Sequence, residues 1–161
     1  MLENNAAAVL VAEQDEMSNM YLTFNLGTET YGLQIRHILQ IIGMQEITQM
    51  PEMPPYMKGY INLRGSIIPV VSIRKRFGLP EVEYNERTCI IVVHIGEKDI
   101  GLIVDEIQEA ITIEQDHISD PPETGLRELS RYIMGIARLS DTDDATAVLI
   151  DVQKLFKAGD I

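Results

Sequence analysis

The stretch Gly59–Val70, GYINLRGSIIPV, sets one cation, Arg64, between Leu63 and Gly65 in an otherwise apolar strand pattern. Buried charge is costly, so a turn is the expected place for it. There its guanidinium either satisfies local carbonyls or offers a planar fork of donors to a partner. Residue types that support catalysis are scattered. His37, His94 and His117 lie far apart, with no HExxH and no cysteine partner, so they read as ordinary strand or loop histidines rather than a zinc site. Asp141, Asp143 and Asp144 begin like a calcium loop, but the sixth-position glycine is missing and Val152 stands where the glutamate belongs; a solvated hairpin tip is expected. Cys89, inside TCIIVV, reads as a packed thiol. There is no Walker lysine loop, no GxSxG elbow and no GxGxxG between strand and helix. These residues point to recognition without a cofactor or a metal, and not to an enzyme.

Charge narrows the partner. The 161 residues carry 13 Lys and Arg against 25 Asp and Glu, a formal net charge of −12. That balance opposes binding to phosphate backbones or to an anionic leaflet, so no nucleic acid and no direct membrane contact are expected, and a protein partner fits better. The longest apolar run falls short of the roughly 20 residues of a membrane span. With one cysteine there is no internal disulfide, and Met1 opens an acidic segment without the pattern of a secretory signal. A cytoplasmic chain is expected, any membrane association being borrowed from a partner. Residues 1–19 hold four acidic side chains, no basic one and an alanine run, and are read as a flexible arm; 20–157 form the folded domain and 158–161 a tail.

The elements that must position Arg64 are legible in an internal repeat. FNLGTETYGLQI at 24–35 overlies VHIGEKDIGLIV at 93–104 at an offset of 69, with Gly27 on Gly96 and Gly32 on Gly101. The match continues through Ile38/Ile107 and Ile42/Ile111, returns at offset 76 where YMKG (56–59) overlies YIMG (132–135), and ends with VVSIRKRF (70–77) over LIDVQKLF (149–156). Glycines at equivalent turns in an apolar frame indicate two copies of one β unit. Each copy is expected to supply a hairpin, a third strand, a proline-bearing loop with a short helical turn, and two more strands ending in a small helix; LRELSRYIM has helical spacing. Five strands per copy, closed on themselves, make two small barrels, with a groove at their seam.

GYINLRGSIIPVVSIRKRFGL, preceded by YLTFNLGTETYGLQIRHILQII and followed by TCIIVV and DIGLIVDEI, resembles the CheW family of chemotaxis adaptors from about Tyr21 to Phe156. The resemblance implies a mostly β fold of two interlocked five-stranded SH3-like barrels with short helices. It implies a non-catalytic scaffold that couples chemoreceptor cytoplasmic tips to the histidine kinase CheA, whose regulatory domain shares the fold. A coupling domain detached from a CheV-like or CheA-like protein, or the adaptor of a non-flagellar chemosensory pathway, would carry the same residues.

The resemblance also implies sites. Ile38, Gln40, Ile41, Lys58, Gly59, Asn62, Leu63 and Arg64 match receptor-binding positions, with Gly59 admitting a partner backbone and Lys58 either a rim contact or a solvated charge. Ile67, Asn85, Thr88 and Cys89 match kinase-binding positions, although Ile67 and Cys89 are equally suited to a core. A second contact, from the loop between Ser119 and Thr124, would let adaptor and kinase domains, or adaptor copies, alternate around a ring. Three places depart from the family pattern: Gln40 replaces a usual glutamate, Ser72 stands where DLR is typical, and the 119–124 loop lacks the family's arginine and phenylalanine.

Overall fold

Two hairpins of matching design anchor the architecture. β1 (Met20–Leu26) and β2 (Glu29–Gln34) turn at Gly27, and β6 (Cys89–Ile95) and β7 (Lys98–Val104) turn at Gly96. Both glycines sit at φ +63°, a left-handed conformation that costs glycine nothing. The computed structural model describes residues 19–121, 131–140 and 145–156. The first copy continues with β3 (Ile38–Gly43), β4 (Met57–Leu63), β5 (Ser66–Ser72) and a one-turn helix α1 (Ile73–Arg76). The second continues with β8 (Glu106–Thr112), β9 (Ile118–Ser119), β10 (Ile133–Arg138), β11 (Thr146–Ile150) and a 3-10 turn, Val152–Lys154.

The strands assemble into a six-stranded sheet, β8-β1-β2-β11-β10-β9, and a five-stranded sheet, β3-β6-β7-β5-β4. Each copy's hairpin therefore lies in the other copy's sheet. The exchange is reciprocal down to the register. Ile38 pairs with Val93, and their counterparts Ile107 and Phe24 pair with each other. The parallel joins repeat as well: Val70 pairs with Gly101 where Leu149 pairs with Gly32. Even the bulges coincide, between Ile38 and Gln40 on one side and between Phe24 and Leu22 on the other.

This exchange explains why CIIVV, residues 89–93, is apolar at every position. Ile90 and Val92 face a cluster inside the five-stranded sheet with Ile61, Ile68 and Val70, while Ile91 and Val93 face the central core with Leu33, Phe24 and Ile150. A strand buried on both faces needs no polar alternation. A third cluster, Tyr21, Ile113, Ala137, Ala147 and Leu149, fills the six-stranded sheet.

Among the described residues neither sheet closes as a continuous ladder, which modifies the closed-barrel expectation. Each instead bends until its two edges meet in one segment of chain. Past β3, Thr48 pairs with Tyr60 of β4 through two 2.9 Å backbone bonds. Past β8, β9 pairs with β10 at Ser119 and Ile136. Of the expected helix over LRELSRYIM, residues 126–130 lie outside the described residues, and Ile133 and Met134 already belong to β10. The predicted arm up to residue 18, the tail and the 141–144 tip also lie outside them.

Ionic ties join the exchanged parts. Asp105, after β7, accepts from Arg74 Nε at 2.9 Å and from the Gly27 amide at 2.8 Å, so one carboxylate of the second copy holds both α1 and a hairpin turn of the first. The Arg74 guanidinium keeps that carboxyl below its usual range, and Arg74 also donates to the Pro80 carbonyl at 2.9 Å.

Candidate docking surfaces

Arg64 occupies the tip of the β4–β5 hairpin. Leu63 pairs with Ser66, leaving Arg64 and Gly65 as a two-residue turn at φ +53° and +89°. Two left-handed residues make the turn that matches strand twist, and Asn, Asp or Gly are the residues it prefers. Asn62 holds it, its Oδ1 accepting from the Gly65 amide at 2.9 Å. Among the described residues the Arg64 guanidinium has no hydrogen-bond or ion-pair partner, so of the two roles open to it, bracing the turn through local carbonyls is not the one seen. A bulky side chain in a left-handed turn costs about 1 kcal/mol. Nothing within the described fold offsets that cost.

The other receptor-matched positions are unequally available. Leu63 turns inward onto the cluster of the five-stranded sheet, and Ile38 packs on the central core. Gln40 and Ile41 are exposed, as is Leu39, which the sequence reading did not single out; the β3 bulge at Leu39 sets two large apolar side chains, 54% and 45% exposed, on one edge strand. Lys58 is neither free nor a simple rim charge. Its Nζ lies 2.8 Å from Glu81 Oε1, and this hydrogen bond raises the ammonium's pKa and lowers that of Glu81.

Gly59 needs correction. It is buried at φ +142°, and a Cβ there would come within 2.2 Å of the Thr48 carbonyl oxygen. The backbone that approaches it is the chain's own.

The kinase-matched positions separate into two places. Ile67 is 59% exposed and sits directly across from Asn62, beside the Arg64 tip. It lines an apolar groove of about 320 Å³ with Met50, Met53, Met57, Tyr60 and Pro69. The methionines of the 50–57 segment were the available signal for this groove, since flexible thioethers suit adaptable contacts. Cys89 lies at the other end of the same sheet, paired with Val104, whereas the register sets Ile67 level with Lys98, about 20 Å away along the strands. Cys89 is half-buried and burial pushes its thiol pKa up. Asn85 is exposed and starts a turn in which its amide donates to Thr88 Oγ1 at 2.9 Å, so Thr88, 7% exposed, has its hydroxyl committed internally. Ser119 is exposed on the edge strand β9; Thr124 lies outside the described residues. Ser72, at the departure from the family pattern, caps α1 by accepting from the Lys75 amide, and Asp151 caps the equivalent turn in the second copy.

Among the described residues no group of three His, Cys, Asp or Glu is placed to hold a metal, and no helix is long and apolar enough to cross a membrane. A family model described as the CheW-like domain matches residues 20–160. The chemotaxis protein CheW of Helicobacter pylori is 32% identical over 155 residues, 96% of this chain and 92% of its own. That of Bacillus subtilis is 34% identical over 132 residues, covering 80% and 85%. The crystal structure of the scaffolding protein TtCheW from Thermoanaerobacter tengcongensis superposes with a TM-score of 0.78 at 35% identity, covering 89% of this chain and 90% of that one.

Proposed function

The chain belongs to the CheW-like family of chemotaxis scaffolds, and we propose that it is a non-catalytic adaptor coupling the cytoplasmic tips of chemoreceptors to the histidine kinase CheA. The observation that carries this reading is Arg64, whose guanidinium has no partner among the described residues and is held out on a strained hairpin tip. A receptor tip is a helical hairpin, and helices dock on apolar surface edged by groups that fix their register. Leu39 and Ile41 on β3 supply apolar surface, and Arg64 supplies the directional donors. The kinase contact uses the groove around Ile67, with Asn85 and Cys89 at the far end of the same sheet and the Ser119 edge on the other sheet as a second contact for ring formation. Membrane association then comes through the receptors alone.

The test measures receptor-fragment binding, CheA binding and melting temperature on Arg64→Ala and Arg64→Lys. Arg64→Ala should weaken receptor binding by about 1.5–3 kcal/mol, the range of a charge-assisted hydrogen bond, and leave CheA binding and melting unchanged. Arg64→Lys should recover only part of it. Untouched receptor affinity, or a loss that merely follows unfolding, would end the receptor assignment.

A further inference from the structure

The chain has no tryptophan, three phenylalanines and six tyrosines. All three phenylalanines and three of the tyrosines form one seam between the copies. Phe24 stacks on Tyr31 at 5.8 Å, Tyr31 meets Phe77 at 5.5 Å, Phe77 meets Tyr132 at 6.1 Å, and Tyr56 meets Phe156 at 6.0 Å. Arg76, the last residue of α1, joins the four-ring run at Tyr132 to the Tyr56–Phe156 pair. Its guanidinium lies 4.5 Å from the Tyr56 centroid, 4.9 Å from that of Tyr132 and 5.9 Å from that of Phe156, while its Nε donates to the Leu155 carbonyl at 2.7 Å.

The repeat shows what is unusual in this. Tyr56 and Tyr132 are counterparts, as are Phe77 and Phe156, so these four rings follow the duplication, whereas Phe24 and Tyr31 stand opposite Val93 and Ile100. Arg76 breaks it, because its counterpart is Leu155, the residue whose carbonyl it holds. One cation from the first copy thus stacks on rings of both copies and binds the closing turn of the second. Cation–π contacts and a charge-assisted bond reinforce one another at such a half-buried site.

We propose that Arg76 is a positioning residue that clamps the two copies in fixed relation, and so keeps the Arg64–Ile67 surface of one sheet and the Ser119 edge of the other aligned for partners bound at once. The second clause rests on the adaptor reading; the clamp itself does not. An aromatic or aliphatic residue at 76 would fill the space and lose the bond to Leu155, and lysine would keep a donor and lose the planar stacking.

The experiment compares wild type, Arg76→Leu and Arg76→Lys by amide hydrogen exchange, and by binding of receptor fragment and CheA singly and together. Arg76→Leu should speed exchange of the Asp151 and Leu155 amides about tenfold relative to those of β6 and β7, a loss of about 1.4 kcal/mol at the clamp. It should weaken the three-component assembly by a similar factor with each binary affinity within about twofold, and Arg76→Lys should fall between. Unchanged exchange at Asp151 and Leu155 overturns the clamp. So does exchange that rises evenly across the chain, which would mark Arg76 as ordinary core support. If Arg76→Leu does not fold, Arg76→Lys decides by the same readouts. If wild type binds neither partner, the adaptor reading falls and the exchange data still judge the clamp.

Discussion

Arg64 and Gly59 stand five residues apart on one hairpin and break backbone preference in opposite ways. At Arg64 a side chain occupies a left-handed turn where glycine would be at ease. Arg64→Gly should therefore raise stability by about 1 kcal/mol while losing receptor binding, the opposite signs being read by thermal melting and by titration with a receptor fragment. A fall in melting temperature would mean that the arginine supports the turn after all. At Gly59 the left-handed backbone and the Thr48 carbonyl leave no room for a Cβ. Gly59→Ala should cost about 3 kcal/mol or more and lower partner binding only in proportion to the unfolded fraction. The sequence singled out Arg64 as the one cation in an apolar strand pattern, and the family resemblance marked Gly59 as a place where a backbone comes close. It could not tell whether the close neighbour of Gly59 came from inside the chain or outside, because composition records that space is scarce and not who fills it. The apolar groove at Ile67 was hidden for a related reason: its walls come from a loop and a hairpin joined only by the fold.

At the scale of elements, the hairpins and their glycines were legible because a tight turn demands a residue type at a fixed place, and both copies kept it. The caps were less so. Ser72 reads as a departure from the family pattern, yet it performs the capping that Asp151 performs in the second copy, since either oxygen accepts the exposed amide. The tie between α1, β7 and the first hairpin is electrostatic and yields a pH prediction. Asp105 has its pKa depressed in the folded chain, first by the hydrogen bond from Arg74 and then by the Gly27 amide. Its contribution is therefore complete above the unfolded aspartate value near 3.9 and is lost as pH falls through the lower folded value. Asp105→Asn should cost about 2 kcal/mol at pH 7, and the gap to wild type should narrow toward about pH 2. Parallel stability curves for the two proteins from pH 7 to pH 2 would rule this out.

For the whole molecule, the repeat announced two copies, and its apolar frame announced that their strands line a core. Neither could announce that each hairpin crosses into the other copy's sheet, since Ile91 and Val93 need apolar neighbours and are indifferent to which copy provides them. The exchange has a consequence for how the chain can be divided. The link from Gly78 to Thr88 contains no strand, while both sheets of the described residues draw on both sides of it. Fragments 19–82 and 83–156, made separately, should each lack cooperative melting, and mixing them should restore it at a rate that rises with fragment concentration. A fragment that melts cooperatively alone would show that its sheet can close without the borrowed hairpin. Where the fragments do require each other, gene fission at this link would turn a single chain into an obligate heterodimer, and a gene holding only one copy would have had to fold as a pair of molecules before the duplication joined them.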